Sequence, residues 1–421
     1  MQTIVLEKPA RTRSRLRVTE AGVFTAATGV ALLHALDDAF LDRQPGVGLG
    51  QHALAASAAV AGAGAAIWVF PRVRPSLRAL LAFVLGTLAA VNGAMHVQHI
   101  NVDGPAHSDL TGVLAFAAGL VLAGLAAVIL WRHRRPGSLR VWIQRALAPV
   151  AVIAFSYLAL GPIALGIVEV HKWREPIGPT PAGYRDVAFR SGDGLRLTGW
   201  YRPTTNGATV LLVHGGNGDR QGPMRHARML VRHGYGVLVY DSRGRGDSEG
   251  SPNSFGWEWR QDVEGALAFL KARPEVDPNR IGGLGLSTGA DVLVETAPDR
   301  PDLHAIVADG AAAETWEDWH RLRGSDAGAI PGFFMFGTIR ILSGDPPSPT
   351  LEDRVREIRQ PTLLVSTGTR EESEFNEMYE RVGNPHVAHW NLPDAHHTAA
   401  IRESGGAYEA RVTAFFDREL R

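Results

Sequence analysis

The chain has 421 residues, which is enough for two or three domains of ordinary size. Its 43 basic and 43 acidic side chains cancel, so no overall positive field favours a nucleic-acid partner. Cysteine is absent, which excludes disulfides, thiolate nucleophiles and cysteine-bound metals. Residues 21–170 are rich in Ala, Leu, Val and Gly, whereas the rest has the mixed polarity of a water-soluble domain. The composition therefore predicts an α-helical membrane domain followed by a soluble one.

Five apolar segments follow a basic tail that covers residues 1–20. Each approaches or exceeds the roughly 20 residues that a helix needs to cross a bilayer. They lie at residues 21–36, 53–70, 79–95, 110–131 and 146–170. Because short polar loops separate them, we expect a transmembrane domain of about five helices over residues 21–170, with the lipid bilayer as a partner.

The basic residues of this half lie mostly on one side of the predicted membrane. That side receives the tail and the loops at residues 72–78 and 132–145, whereas the short loops of the other side carry only Arg43. Positive charge marks the cytoplasmic side, so we expect an integral cell-membrane protein with everything after residue 170 outside. The fifth segment contains Pro149 and Pro162 and is followed by Lys172 and Arg174. If that segment lies in the interface instead, the C-terminal domain is cytoplasmic.

A group of histidines and aspartates lies at the outer ends of the predicted membrane helices. His34 and Asp38 are spaced to share one helix face, as are His96 and His99. Imidazoles and carboxylates that converge from several helix ends could ligate zinc or another divalent ion. The alternative is that they are interfacial residues solvated at the bilayer surface, and we favour it. No metal is therefore predicted.

Strand and helix patterns alternate from residue 184 to the end, after a proline-containing linker over residues 171–183. Such alternation predicts a mostly parallel, doubly wound sheet with helices on both faces. Between one predicted strand and helix, residues Gly285 to Gly289 spell G-x-S-x-G. This context exposes the hydroxyl of Ser287 at a sharp turn, and a helix N-terminus there favours developing negative charge.

Three motifs follow predicted strands in order, and together they indicate a family. They are His214 to Asn217, Asp241 to Gly250 and Gly285 to Gly289. Over residues 184–421 the sequence resembles the α/β-hydrolase superfamily, in particular its dienelactone-hydrolase-like and serine-aminopeptidase-like branches. The resemblance implies an α/β-hydrolase fold in which Ser287 is the nucleophile and the amides of Gly216 and Thr288 form the oxyanion hole. It does not extend to the N-terminal half.

The resemblance also implies a histidine and an acid later in the chain. His397 is the expected base because Thr398 after it suits the start of a helix, and His396 is its competitor. Glu371 stands where the family usually has aspartate, three residues after a glycine. Glu372 and Asp309 are the alternative acids.

An insertion of about 50 residues separates the strand ending near Asp309 from the next strand. Over residues 311–360 we expect a cap, rich in aromatic side chains. These aromatic residues are interpreted either as an apolar lid that admits acyl chains from the bilayer or as the cap's own core.

The sequence therefore predicts a membrane-anchored serine hydrolase. It would cleave an ester of a small-molecule or lipid-like acyl substrate through an acyl-enzyme, with no cofactor. One alternative is an acyltransferase or a peptidase that uses the same residues. Another is a transporter or sensor in which the membrane domain acts and the hydrolase-like domain is not catalytic.

Overall fold

The computed structural model describes residues 19–40, 49–103, 109–133, 151, 154–171, 174–324, 329–368 and 370–420. The predictions made for the basic tail and for the arginines at 134–145 lie outside these residues. The chain divides into two compact units. One consists of residues 1–37 and 58–137, and the other of residues 38–57 and 138–421.

Four long helices occupy the N-terminal part of the chain. They are α1 (Glu20–Phe40), α2 (Leu49–Val69), α3 (Pro75–Asp103) and α4 (Asp109–Arg132), with a 3₁₀ turn at Phe70–Arg72. Within the described residues, two stretches are long and apolar enough to cross a membrane, Pro75–Ala94 and Asp109–Arg132. These match the third and fourth of the five predicted segments. A core helix of a soluble protein has the same length and composition, so the five-span topology stays a prediction.

Helices α3 and α4 pack closely through glycines on both helices. A Cβ atom on Gly93 of α3 would lie 2.4 Å from the backbone nitrogen of Phe116. A Cβ atom on Gly119 of α4 would lie 2.5 Å from the backbone nitrogen of Ala90. Only glycine permits this approach, which is the small-residue packing that apolar helices use with one another.

The second unit is built on one eight-stranded mixed sheet with the order β1-β2-β4-β3-β5-β6-β7-β8. The first two strands are antiparallel to their neighbours, and the pairs from β4 through β3 to β8 are parallel. The strands are β1 (Arg185–Arg190), β2 (Arg196–Arg202), β3 (Thr209–Val213), β4 (Gly236–Tyr240), β5 (Ile281–Leu286), β6 (Ala305–Asp309), β7 (Thr362–Thr367) and β8 (Val387–Leu392).

Helices cover both faces of this sheet, as the alternating pattern predicted. They are α5 (Gly161–Val170), which follows a π-helical turn, then α6 (Met224–Arg232), α7 (Trp259–Lys271), α8 (Thr288–Thr296), α9 (Trp316–Arg323), α10 (Ala329–Ser343), α11 (Leu351–Glu357), α12 (Arg370–Arg381), α13 (Ala400–Glu403) and α14 (Gly405–Leu420). Strand β3 is buried along its whole length because alternate side chains enter two different clusters. Leu211 and Val213 pack with α7 and α8, whereas Val210 and Leu212 pack with α6 and α14.

Helix α5, at the end of the fifth apolar segment, packs against α10, which lies between β6 and β7. A Cβ atom on Gly166 would lie 2.7 Å from the carbonyl oxygen of Met335 and 2.8 Å from Cβ of Thr338, so the two helices touch through a glycine. Val170 joins Phe336 and Ile339 in an apolar cluster at the same place. The end of the fifth apolar segment therefore belongs to the packing of the second unit.

Candidate active site

The turn from β5 to α8 carries Ser287 in a strained backbone conformation. Its φ of 53° and ψ of −124° lie outside the regions that non-glycine residues favour. The flanking glycines make the turn feasible, because a Cβ atom on Gly285 would lie 2.1 Å from the carbonyl oxygen of Gly289, and one on Gly289 would lie 2.4 Å from that of Val213. The turn is therefore the sharp elbow expected from the G-x-S-x-G pattern, with Ser287 before the first turn of α8.

A chain of hydrogen bonds joins Ser287 to a histidine and a carboxylate. Nε2 of His397 lies 2.9 Å from Oγ of Ser287, and Nδ1 of His397 lies 2.6 Å from Oε2 of Glu372. The backbone nitrogen of Thr367 donates to Oε1 of Glu372 at 2.6 Å, and the threonine hydroxyl donates to the same carboxylate. Glu372 is 2% exposed, so its carboxylate is buried and fixed behind the imidazole.

The acid differs from the one that we expected. Glu371 points away from the imidazole, and its exposed carboxylate lies 3.4 Å from Nη2 of Arg323. Asp309 is buried and accepts a hydrogen bond of 2.7 Å from the hydroxyl of Tyr408. Of the three candidate acids, only Glu372 is hydrogen-bonded to His397. The expectation for Glu371 counted residues from the preceding glycine, whereas the rotation of helix α12 decides which glutamate faces inward.

A signal for this rotation is present in the sequence. Glu372 shares one face of α12 with Phe375, Asn376 and Tyr379, and all four are buried. This spacing of three, four and seven residues is the periodicity of a buried helix face. Glu371 falls on the opposite, solvated face. The apolar pattern of α12 would therefore have indicated Glu372.

The two histidines at the end of the chain have different surroundings. His396 is exposed and lies 3.1 Å from a carboxylate oxygen of Glu403, so it takes no part in the chain of hydrogen bonds. His397 packs over Gly310, whose φ is +85° and whose missing side chain leaves room, because a Cβ atom there would lie 2.8 Å from Cε1 of the imidazole. Thr398, the residue that favoured His397, has a positive φ of 52° and directs the chain away from the imidazole.

The two residues expected to form the oxyanion hole lie beside Ser287. Gly216 and Thr288 both line the cavity that contains Ser287. A side chain at Gly216 would meet the carbonyl oxygen of Ser254 at 2.0 Å, so this position accepts only glycine. His214 fixes the loop, because its Nε2 accepts a hydrogen bond from the backbone nitrogen of Ser242 at 3.0 Å. The imidazole of His214 is thus a brace for the loop.

The loop after β4, which carries the motif Asp241 to Gly250, is also a brace. Asp241 is fully buried and accepts hydrogen bonds from the backbone nitrogens of Arg220 and Asp247. Burial raises its pKa to about 6. Arg174, just after α5, donates to the carbonyl oxygens of Gly246 and Gly250 at 3.1 Å each. The linker is therefore tied to this loop.

The cavity beside Ser287 has a volume of about 620 Å³. Its walls include Glu169 at the end of α5, Phe255, Leu286 and Ile401. No described residue between 311 and 360 lines it, which differs from the expectation that the cap shapes the pocket. Instead α10 packs against α5 and against Phe255, whose ring centroid lies 4.7 Å from that of Phe336. Some cap aromatics are thus core, and others such as Phe333 are exposed.

Three histidines line this cavity, but their charge states differ. Burial lowers the pKa of His214 and of His226 to about 3, so both are neutral at neutral pH. The hydrogen bond to Glu372 raises the pKa of His397, with burial opposing it. Of the three, His397 is therefore the imidazole whose pKa is raised, which favours its protonated form. Burial raises the pKa of Asp309, below the elbow, to about 7.

Three of the four candidate metal ligands in the N-terminal half, His34, Asp38 and His96, lie together, with ligand atoms within 4.8 Å of one another. The rings of His34 on α1 and His96 on α3 are buried and meet edge to face with centroids 4.7 Å apart. Nδ1 of His34 lies 3.2 Å from the hydroxyl of Thr111, which donates to Asp37. Nδ1 of His96 lies 3.2 Å from Oδ1 of Asp109. These histidines are therefore held by neighbouring oxygens, not solvated as expected.

Asp38 follows His34 by one helical turn on α1. Two imidazoles and one carboxylate at this spacing could hold a metal ion. The side chain of His99 lies outside the described residues. That the protein carries no metal at these residues stays a prediction.

Comparison with known proteins agrees with this fold. The sequence profile of the X-Pro dipeptidyl-peptidase family (S15 family) matches residues 180–384, just under half of the chain. An uncharacterized protein of Mycobacterium tuberculosis is 42% identical over 126 residues, which cover 29% of this chain and 43% of the relative. The quorum-quenching protein AidA of Acinetobacter baumannii is 35% identical over 133 residues, which cover 30% of this chain and 44% of AidA. The chain thus spans less than half the length of both relatives.

A solved structure shares the fold of the second unit. An esterase from Pyrococcus furiosus is 24% identical and superposes with a TM-score of 0.50, covering 60% of this chain and 99% of the esterase. The mixed sheet, the elbow and these similarities together show that the C-terminal half of the chain has the α/β-hydrolase fold. Its sequence is similar to serine hydrolases of the esterase and peptidase kind.

Proposed function

We propose that the protein is a membrane-anchored serine hydrolase that cleaves a carboxylic ester through an acyl-enzyme. The observation that carries this proposal is the unbroken chain of hydrogen bonds from Ser287 through His397 to Glu372, with distances of 2.9 and 2.6 Å. A serine hydroxyl needs such a base to become a nucleophile, and the base needs an acceptor that holds it in one tautomer. The hydroxyl of Ser287, at one end of these hydrogen bonds, lies in a cavity large enough for a small substrate.

Acylation would begin with attack by Oγ of Ser287 on the ester carbonyl carbon. Nε2 of His397 takes the serine proton while Glu372, which accepts a hydrogen bond from Nδ1, stabilises the resulting imidazolium. The backbone amides of Gly216 and Thr288 would donate to the oxyanion. The amide of Thr288 begins helix α8, whose N-terminal partial charge favours that oxygen further.

Collapse of the tetrahedral intermediate that this attack forms breaks the bond to the leaving oxygen, which takes the proton from His397. Water then repeats the sequence on the acyl-enzyme, with His397 again as the base and Ser287 as the leaving group. No step requires a metal or an organic cofactor. Transfer of the acyl group to an acceptor other than water would use the same residues.

Cleavage of a peptide or amide bond is the second candidate activity, and the match to the X-Pro dipeptidyl-peptidase family favours it. Amide substrates demand protonation of a poorer leaving group, which the raised pKa of His397 serves. We place esters first because the fold is shared over nearly the full length of an esterase.

Attachment to the cell membrane is supported by the apolar helices of both halves. Helices α3 and α4 contain the two stretches long enough to span a bilayer. Near the hydrolase domain, Tyr157, Leu165, Phe333 and Ile341 are exposed apolar side chains on α5, the turn before it and α10. Such a surface suits contact with lipid. We propose that the hydrolase domain is extracytoplasmic, as the charge of the loops indicates.

The test is the reaction of the purified full-length protein with a fluorophosphonate probe, together with turnover of para-nitrophenyl esters. Ser287→Ala should abolish labelling and turnover while the circular dichroism spectrum stays unchanged, because the substitution removes one hydroxyl from an existing turn. Absence of labelling in the wild-type protein would instead favour the rival function, transport or sensing by the membrane helices with an idle hydrolase-like domain.

A further inference from the structure

Two arginines line the cavity that contains Ser287 and His397. Arg225 lies in the first turn of α6, and Arg402 lies in α13, five residues after His397. Both are exposed. Neither guanidinium group forms a hydrogen bond or an ion pair with another residue in the part of the chain that the structure describes.

Several buried arginines of this unit, in contrast, have partners within the fold. Nη2 of Arg220 lies 3.0 Å from Oδ2 of Asp241, and Nη2 of Arg243 lies 2.8 Å from Oδ1 of Asp262. Even Glu403, the carboxylate next to Arg402 in sequence, is occupied by His396. The charges of the two cavity arginines are therefore available to a ligand.

Both arginines come from the same side of the cavity. Met224 and Ala227 of α6 pack in one apolar cluster with Ala400 of α13, on the sheet face opposite α8. Glu169, the acidic residue among the described cavity walls, comes from α5, where its backbone oxygen accepts a hydrogen bond of 3.1 Å from the nitrogen of Ser254. The cavity thus has positive charge on the side of α6 and α13 and negative charge on the side of α5.

We propose that the cavity takes esters that carry a carboxylate in addition to the ester group, and that Arg225 and Arg402 bind this carboxylate. The planar guanidinium group matches a carboxylate with paired hydrogen bonds, and charge makes these bonds stronger than neutral ones. The proposal rests on the proposed function, because it concerns the substrate of the same serine. The carboxylate itself does not react: Ser287 attacks the ester carbonyl, and the leaving oxygen takes the proton from His397.

A purely apolar acyl chain fits this site less well. It would cover two guanidinium groups without giving them a partner, and burial of an unpaired charge costs free energy. A carboxylate neutralises them instead. The arginines thus select for an anionic substrate over its uncharged analogue.

The experiment compares two pairs of matched esters with the full-length protein. The first pair is para-nitrophenyl hydrogen glutarate and its neutral methyl ester, which places the carboxylate on the acyl side. The second pair is para-acetoxybenzoate and its methyl ester, which places it on the leaving group. After subtraction of uncatalysed hydrolysis, we expect kcat/KM to be about tenfold higher for the anionic member of one pair, the size of one or two exposed charge-assisted contacts.

Three variants identify the residues responsible. Arg225→Gln and Arg402→Gln should each remove part of this preference through a higher KM, and the double variant should remove all of it. Turnover of the neutral esters should not fall, because these substrates gain nothing from the guanidinium groups. Arg228→Gln is the control, because this exposed arginine lies three residues further along α6 and does not line the cavity. It carries the same change of net charge and should keep the preference.

The outcomes separate this inference from the proposed function. Turnover of neutral esters without any preference for an anionic partner would overturn the inference and leave the hydrolase intact. A preference that Arg228→Gln reduces as much as the two cavity variants do would overturn it as well. Failure to hydrolyse every ester, with no fluorophosphonate labelling, would refute the proposed function and the inference together.

Discussion

The adjacent glutamates Glu371 and Glu372 provide a sharp test of the proposed catalytic residues. Glu372→Gln keeps the size of the side chain and an oxygen that can accept from Thr367. Its amide nitrogen, however, would face Nδ1 of His397 at the position now separated by 2.6 Å from a carboxylate oxygen. That nitrogen donates and does not accept, so Nδ1 must accept and the imidazole proton moves to Nε2. His397 then has no lone pair for the serine proton.

The expected loss follows from this change of tautomer. Replacement of the acid in a serine, histidine and acid triad lowers kcat by about four orders of magnitude, which is about 5.4 kcal/mol of transition-state stabilisation. Glu371→Gln removes only an exposed contact of 3.4 Å to Arg323, so kcat should change by less than about twofold. The two variants differ by one position and have the same net charge.

Steady-state hydrolysis of a neutral para-nitrophenyl ester measures both variants, and the rate of fluorophosphonate labelling checks the nucleophile separately. A pH profile adds a second readout. Glu372 raises the pKa of His397, and the base must be neutral, so activity should rise with pH through that pKa. In any residual activity of Glu372→Gln, this rise should move to lower pH. Equal losses in the two variants, or a loss in Glu371→Gln alone, would refute the assignment.

Three further predictions concern the surroundings of the site. His396→Gln should keep near wild-type kcat/KM, because this imidazole is exposed and bound to Glu403; a loss as large as that of a His397 variant would contradict the geometry. Gly166→Val should lower the melting temperature, with about 1–3 kcal/mol lost to overpacking between α5 and α10, whereas Gly337→Ala on α10 should not, because nothing lies within 4 Å of its Cβ position. The free energy of unfolding should fall as pH rises from about 4 to about 8, since burial raises the pKa of Asp309 to about 7 and the folded state therefore binds the extra proton in this range. Asp309→Asn should flatten this slope in thermal melts at several pH values.

Local patterns in the sequence predicted most of the fold of the second unit. The elbow at Ser287 depends on neighbouring glycines, and the parallel sheet depends on alternation of strands and helices, so both leave signals within a few residues. His397 was likewise indicated by the residue that follows it. These features need no knowledge of distant contacts.

The choice between Glu371 and Glu372 and the identity of the cavity walls depend on tertiary contacts that the sequence alone does not reveal. Glu372 faces inward because Phe375 and Tyr379 set the rotation of α12, a property of the whole helix. Glu169 reaches the cavity because α5 packs against α10, far along the chain, and its apolar composition resembles that of a membrane span. Composition alone did not distinguish a membrane-spanning helix from an apolar helix that packs within the second unit.

The position of α5 affects how the hydrolase domain can be separated from the N-terminal helices. The backbone oxygen of Glu169 accepts hydrogen bonds from the backbone nitrogen and the hydroxyl of Ser254. Arg174 binds the following segment to the loop after β4 through a hydrogen bond to the carbonyl oxygen of Gly246. A cut at residue 184, just before β1, would remove α5 and with it one wall of the cavity. It would also expose the apolar side chains of Phe336 and Ile339 to water. We therefore expect proteolysis within the linker to inactivate the hydrolase domain as it separates that domain from α5. Helix α5 and the linker are thus part of the functional domain.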